Sequence, residues 1–283
     1  MEEKYWKQFM KTGRIVDYLY YRGMKICYRS WRSQKKTYES DYRDGMVLSA
    51  NPVGDYDRRV VLLTKERGKI AAFARGARRT NSSLLGVTSP FSFGEFVVYE
   101  GRTSYTLMSA SISNYFSELR TDVEGAYYGF YFLDFAGYYA REANDETELL
   151  KLLYQTLRAL TNVHIPNRLI RCIYELKAVC INGEGPQVFE CVSCGRWEEN
   201  MKFSVRKGGL VCRKCEIHAP DAVMVGTSTL YTLQYIISSK VEKLYTFAVK
   251  EEVLLELENL LRNYLNVYVG RNFKSLEILE TIV

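Results

Sequence analysis

The sequence predicts an α+β protein in which a small five-stranded β-barrel precedes a helical domain, with a cysteine-bearing ribbon inserted among the helices. Three observations carry this. Between Met46 and Ser109, short β-rich runs alternate with Gly, Pro, Asp and Asn. After Asp122 the apolar period changes from two to that of a helix. Late in the chain, Cys191-x2-Cys194 and Cys212-x2-Cys215 stand seventeen residues apart.

The five expected strands are Val47 to Val53, Arg58 to Thr64, Lys69 to Arg75, Phe93 to Tyr99 and Thr103 to Ser109. Glu66-Arg67-Gly68 connects the second to the third, and Glu100-Gly101-Arg102 the fourth to the fifth. Five strands in about 65 residues suit a closed barrel of the oligonucleotide-binding (OB) type, with an SH3-like barrel as the competing form. Expected helices follow at Val123 to Arg141, Glu146 to Thr161, Pro166 to Ile181, Thr229 to Ser239, Glu251 to Tyr268 and Lys274 to Thr281. The first is loaded with aromatics such as Tyr131, Phe132 and Phe135, a composition suited to a bundle core. Pro166 fits a first helical turn, and Gly183 with Gly185-Pro186 stops that helix ahead of the cysteines. These signals divide the chain into residues 1–44, a barrel at 45–121 and a helical domain at 122–283, with the ribbon at about 188–220. Residues 1–44 mix eleven Lys and Arg with scattered aromatics, without a period that would give a buried face. They read as a basic arm, a flexible extension, or sequence upstream of the translation start, the last two preferred.

Paired C-x2-C knuckles at this spacing place four thiolates around one zinc ion. With Cys191, Cys194, Cys212 and Cys215 as ligands, no vertex remains for water, so the expected metal is structural. Two disulfides or four unrelated thiols are the alternatives, and the spacing favours zinc. Gly195 supplies the tight turn after the first knuckle, and Lys207-Gly208-Gly209 reads as the turn of a hairpin between the pairs. Cys27, Cys172 and Cys180 are left over; the latter two lie on a helical apolar face.

Charge is distributed unevenly. Residues 1–121 hold 21 Lys and Arg against 12 Asp and Glu, and residues 122–283 hold 18 against 21. A basic first half suits a polyanionic partner. On the third strand, a period of two puts Lys69, Phe73 and Arg75 on one face and Ile70, Ala72 and Ala74 on the other. Cations beside a ring are what a single-stranded nucleic acid requires, for phosphates and for base stacking. Arg78 and Arg79 extend the row, and Arg58 and Arg59 lie on the neighbouring strand. Phe73 reads equally as a core residue. Other classes find no support. Neither G-x-x-x-x-G-K-[ST] nor G-x-G-x-x-G occurs, the two histidines (His164 and His218) have no nucleophile beside them, and H-x-E with P-C-x-x-C is missing. No catalytic centre, nucleotide cofactor or membrane span is expected, and seven cysteines without a secretion signal point to a reducing cytoplasm.

The stretches Gly45-Met-Val-Leu-Ser, Gly54-Asp-Tyr-Asp-Arg-Arg, Leu63-Thr-Lys-Glu-Arg-Gly-Lys and Ala74-Arg-Gly-Ala-Arg-Arg resemble the bacterial recombination mediator family RecO. The order of barrel, helices and embedded cysteine quartet is similar to that family from about residue 45 onward. The resemblance implies a non-enzymatic DNA repair factor at the bacterial nucleoid. Such a factor binds single- and double-stranded DNA and anneals complementary strands without ATP. It engages the acidic C-terminal tail of single-stranded DNA-binding protein (SSB) and, with RecR and in some settings RecF, helps RecA load. It also implies that Arg75, Arg78 and Arg79 bind DNA and that the tail pocket lies in the helical domain, where Arg168 and Arg171 share a helix face. A zinc-stabilised RNA-binding or ribosome-associated barrel is the alternative.

Overall fold

Alternation of apolar residues across five strands builds the first part of the fold. The structure, a computed structural model, describes residues 40–102 and 104–282, with side chains from residue 43. The N-terminal segment, apart from its last few residues, therefore lies outside the described residues. β1 (Ser40–Val53), β2 (Asp57–Thr64), β3 (Gly68–Ala74), β4 (Phe93–Glu100) and β5 (Tyr105–Asn114) form a closed barrel in the order β1-β2-β3-β5-β4. Its pairings are antiparallel between β1 and β2, β2 and β3, and β4 and β5, whereas β3 meets β5 in parallel. This is the five-stranded order of the OB fold. Val47, Val60, Leu62, Ile70, Ala72, Phe96, Val98 and Leu107 fill the interior. A short helix, α1 (Leu84–Val87), lies on the β3–β4 connection.

Two strands run further than expected. β1 begins at Ser40, because Gly45 still pairs with Thr64 and its bare Cα lets the backbone approach Leu63 O closely. β5 continues to Asn114 along the whole of β4, with Ser109, Ser111 and Ser113 facing solvent and giving little apolar signal.

The helical part consists of α2 (Val123–Tyr139), α3 (Thr147–Leu160), α4 (Asn167–Ile181), α5 (Thr227–Ser238), α6 (Glu251–Tyr268) and α7 (Lys274–Ile282). Asp122 starts α2 by accepting the Gly125 N–H at 3.0 Å, which satisfies one of the free amides of the first turn. The aromatics of α2 do form the bundle core: Tyr131, Phe132 and Phe135 are fully buried and meet Tyr174 of α4 or Phe273. Two of these phenols are satisfied within it. Tyr131 Oη donates to Glu175 Oε1 at 2.6 Å and Tyr174 Oη to Phe132 O at 2.9 Å. Burial first, and then the Glu175 carboxylate, raise the Tyr131 phenol well above its ordinary pKa, so it stays a donor. Cys172 is buried in the same core, and burial pushes the half-buried Cys180 thiol up to about 11, so both are inert.

Between α4 and α5 the chain forms a three-stranded ribbon, β7 (Gly209–Val211), β6 (Lys202–Ser204) and β8 (Val223–Met224). Phe203 packs it against Tyr264 of α6 with ring centroids 6.2 Å apart.

Barrel and helices share one seam. Met46, Leu48 and Leu63 leave the barrel interior and join the helical core. The β2–β3 turn is hydrogen-bonded to the α2–α3 connection: Lys69 N–H to Arg141 O (3.0 Å), Ala143 N–H to Arg67 O (3.0 Å) and Glu146 N–H to Lys65 O (2.9 Å). Gly68 makes this possible. Its φ is +62°, and a Cβ there would fall 1.9 Å from Arg141 O. Gly68→Ala is therefore expected to destabilise the protein by about 3 kcal/mol, seen as a lowered thermal midpoint, whereas Gly86→Ala, with open space around its Cα, should leave the midpoint nearly unchanged.

Candidate nucleic-acid interface and metal centre

The outer face of β3 is set by the pleat. Ile70, Ala72 and Ala74 are buried in the barrel, while Lys69, Ala71 and Phe73 are half-buried on the other side and Arg75 is exposed. Phe73 thus stands outside the barrel core, opposite Arg59 of β2. Arg59 is exposed, and neither it nor Arg75 has an ion-pair or hydrogen-bond partner among the described residues.

A second cluster continues the row. The β1–β2 turn and the loop after β3 are stitched together: Gly76 N–H donates to Asp57 Oδ1 (2.7 Å), Arg78 N–H to Tyr56 O (2.8 Å) and the Arg78 guanidinium to Gly54 O (3.0 Å). Arg79 lies over the Tyr56 ring, 5.0 Å from its centroid. Tyr56 is exposed and belongs to this surface although strand periodicity did not mark it. Its signal was its place in Gly54-Asp55-Tyr56-Asp57, because an aromatic at a hairpin tip has no core to enter.

Two expected members depart from the row. Arg58 neighbours Arg59 in a strand and so points to the opposite side, where its guanidinium donates to Leu85 O (3.0 Å) and Thr88 Oγ1 (2.7 Å) and closes the end of the barrel. Lys69 donates to Gly137 O at 2.6 Å, near the C-terminal end of α2, where helix carbonyls favour a cation. It binds barrel to bundle along a groove of about 590 Å³ that also holds Arg59, Phe130, Asp134 and Arg271.

In the helical part, Arg168 and Arg171 line a cleft of about 1020 Å³ floored by Tyr128, Tyr131 and Phe273. Both guanidiniums are already neutralised. Arg168 meets Glu251 at 2.7 Å and also Glu258, and Arg171 meets Glu175 at 2.8 Å and Glu280 at 3.6 Å. Arg262 lines the same cleft, is exposed, and has no such partner among the described residues.

The four predicted cysteines converge. All four Sγ atoms lie within 4.8 Å of one another, with Cys194 and Cys212 at 3.6 Å. A tetrahedral ion with bonds of about 2.3 Å needs sulfurs about 3.8 Å apart, so the cluster can hold a metal such as zinc. Gly195 at φ +67° donates its N–H to Cys191 O (2.8 Å), and Cys215 N–H to Cys212 O (2.9 Å), forming the two knuckles. Arg196, by side chain and backbone, lowers the Cys194 thiol to about 6. The hydrogen bond to Cys212 instead pushes Cys215 up to about 12. Four adjacent thiols cannot all ionise unaided, and a divalent cation removes that conflict.

Two family models match the chain: the one described as Recombination protein O N terminal over residues 42–116, and Recombination protein O C terminal over residues 120–277. The chain belongs to the RecO family. It is 33% identical over 241 residues to the DNA repair protein RecO of Alkaliphilus metalliredigens (strain QYMF), covering 84% of this chain and 98% of that one. Against the DNA repair protein RecO of Acetivibrio thermocellus the identity is 30% over 240 residues (84% and 95% covered). For the DNA repair protein RecO of Bacillus subtilis (strain 168) it is 28% over 237 residues (84% and 92%). No helix among the described residues of this RecO-family protein is long and apolar enough to cross a membrane.

Metal removal tests the cysteine cluster. Stripping with a strong chelator, or Cys212→Ser, is expected to lower the melting temperature by about 10 °C, and elemental analysis of untreated protein should find one metal ion per chain.

Proposed function

We propose that this RecO-family chain is a DNA repair and homologous recombination mediator that binds single- and double-stranded DNA through its barrel and anneals complementary strands without ATP. The observation that carries the reading is the outward row Arg59, Phe73 and Arg75, continued by Arg78, Arg79 and Tyr56, on a barrel of OB order. Unpaired guanidiniums neutralise phosphates, which lowers the repulsion between two strands being brought together, and the rings offer stacking surfaces to any base. Arg58 and Lys69 serve the architecture, since both are half-buried and bonded across the barrel end or onto α2, whereas Arg78 stays exposed although its guanidinium also donates to Gly54 O. In this division, residues 45–121 grip DNA, residues 122–283 form the helical domain with its ribbon at about 188–220, and residues 1–44 precede them.

The cleft on the helical domain suits the acidic C-terminal tail of SSB. Its aromatic floor accepts apolar side chains, and Arg262 meets a carboxylate, with Arg168 and Arg171 shaping the wall. RecR, and through it RecF and RecA, would act on the coated strand so recruited. One structural zinc ion on Cys191, Cys194, Cys212 and Cys215 holds the ribbon, and no residue of the chain performs covalent chemistry. The setting is the bacterial cytoplasm, at the nucleoid.

Annealing of SSB-coated complementary oligonucleotides, with no nucleotide present, tests the reading. The parent chain should accelerate it. Arg75→Ala/Arg78→Ala/Arg79→Ala should bind single strands more weakly and reduce the slope of log affinity against log salt by about 2. Unchanged slope, or no acceleration by the parent, would remove the assignment.

A further inference from the structure

The ribbon carries a feature that the barrel-centred reading leaves unused. Trp197 follows the first knuckle and is 55% exposed, and Ile217, beyond the second, is 78% exposed. The indole has no ring partner and no hydrogen-bond partner among the described residues. Its backbone, however, is tied in place through its neighbours. Arg196 O accepts the Cys191 N–H at 2.9 Å, and the Glu198 carboxylate accepts the Arg213 N–H. The backbone on either side of Trp197 is thus tied to both knuckles, the second of which carries Arg213 and Lys214.

The charges around it are unevenly satisfied. Glu198 is engaged by the Arg213 amide, and Glu216 pairs with Lys202 at 3.0 Å. Arg196 is drawn to the Cys194 sulfur. The side chains of Arg213 and Lys214, both exposed, have no acidic partner among the described residues. An exposed, unpartnered indole whose backbone is tied to a knuckle bearing two unpaired cations offers a stacking surface with phosphate-binding groups close in the fold.

We propose that this ribbon tip is a second contact for single-stranded polynucleotide, with Trp197 stacking on a base and Arg213 and Lys214 contacting adjacent phosphates. The proposal rests on the DNA-binding reading above and adds a site to it, away from the barrel. Duplex, whose bases are already stacked, leaves the indole unused, so the tip favours unpaired strands.

The test uses the full, metal-loaded chain with Trp6→Phe and Trp31→Phe, which leaves Trp197 as its single indole. Oligo(dT), oligo(rU) and a duplex of equal length are titrated while tryptophan emission and the anisotropy of labelled oligonucleotide are followed. Either single strand should quench the emission by about half, and duplex far less. Trp197→Ala should bind single strands about tenfold more weakly, and Trp197→Phe within about twofold of the parent. Arg213→Ala/Lys214→Ala should reduce the slope of log affinity against log salt by about 1.4. Quenching by only one of the two single strands supports the site and assigns its sugar preference. Tight binding by anisotropy with unchanged Trp197 emission and unchanged Trp197→Ala affinity overturns the ribbon contact while leaving the barrel's role intact. Absence of any binding by the parent chain overturns both.

Discussion

A backbone-to-backbone seam between the β2–β3 turn and the α2–α3 connection fixes what the rest of the molecule can present. Three amide hydrogen bonds and the Lys69 ammonium on Gly137 O act at one end of the β2–β3 pair, where Leu63 and, from neighbouring β1, Met46 and Leu48 enter the helical core. The same outward row is thereby divided. Near Leu63 and Lys69 it is consumed by docking; near Arg59, Phe73 and Arg75 it stays open. The proposed nucleic-acid surface requires the bundle to leave Arg59 and Arg75 exposed, and Gly68 permits the close approach by which the bundle docks at the other end of the row.

The fold was legible wherever local pattern and tertiary demand agree. The strict alternation of Ile70, Ala72 and Ala74 located β3 and its two faces, and Glu251–Tyr268 was bounded correctly by its apolar period alone. The cysteine quartet was legible because C-x2-C twice over is a geometric statement about thiolates and little else. Strand ends were less so. Asp41, Asp44 and Gly45 read as punctuation, yet the ladder to β2 runs through Gly45. The serines of β5 hid a strand whose outer side needs no apolar residue. β8, two exposed residues long, has no periodicity to detect.

The site was less legible than the fold, for an electrostatic reason. A sequence displays cations but not the carbonyls and carboxylates that occupy them. Arg58, Lys69, Arg168 and Arg171 look as available as Arg59 and Arg75, and mostly contacts distant in sequence, such as Arg168 with Glu258, distinguish them, the four-residue pair Arg171–Glu175 being the local exception. Conversely, the exposure of Tyr56, Arg262 and Trp197 is decided by the fold and leaves no periodic signal in the sequence.

The way barrel and bundle meet also orders events during synthesis. The barrel's strands leave the ribosome before α2, so Met46, Leu48 and Leu63 spend that interval without the helices that later shield them. Closure itself depends on β5, which ends at Asn114, reaching β3, and the first docking helix is whole only at Tyr139. The nascent chain thus carries a greasy shoulder for as long as its helical half is unfinished, and a translational pause between the two halves would prolong that exposure and favour clumping of partial products.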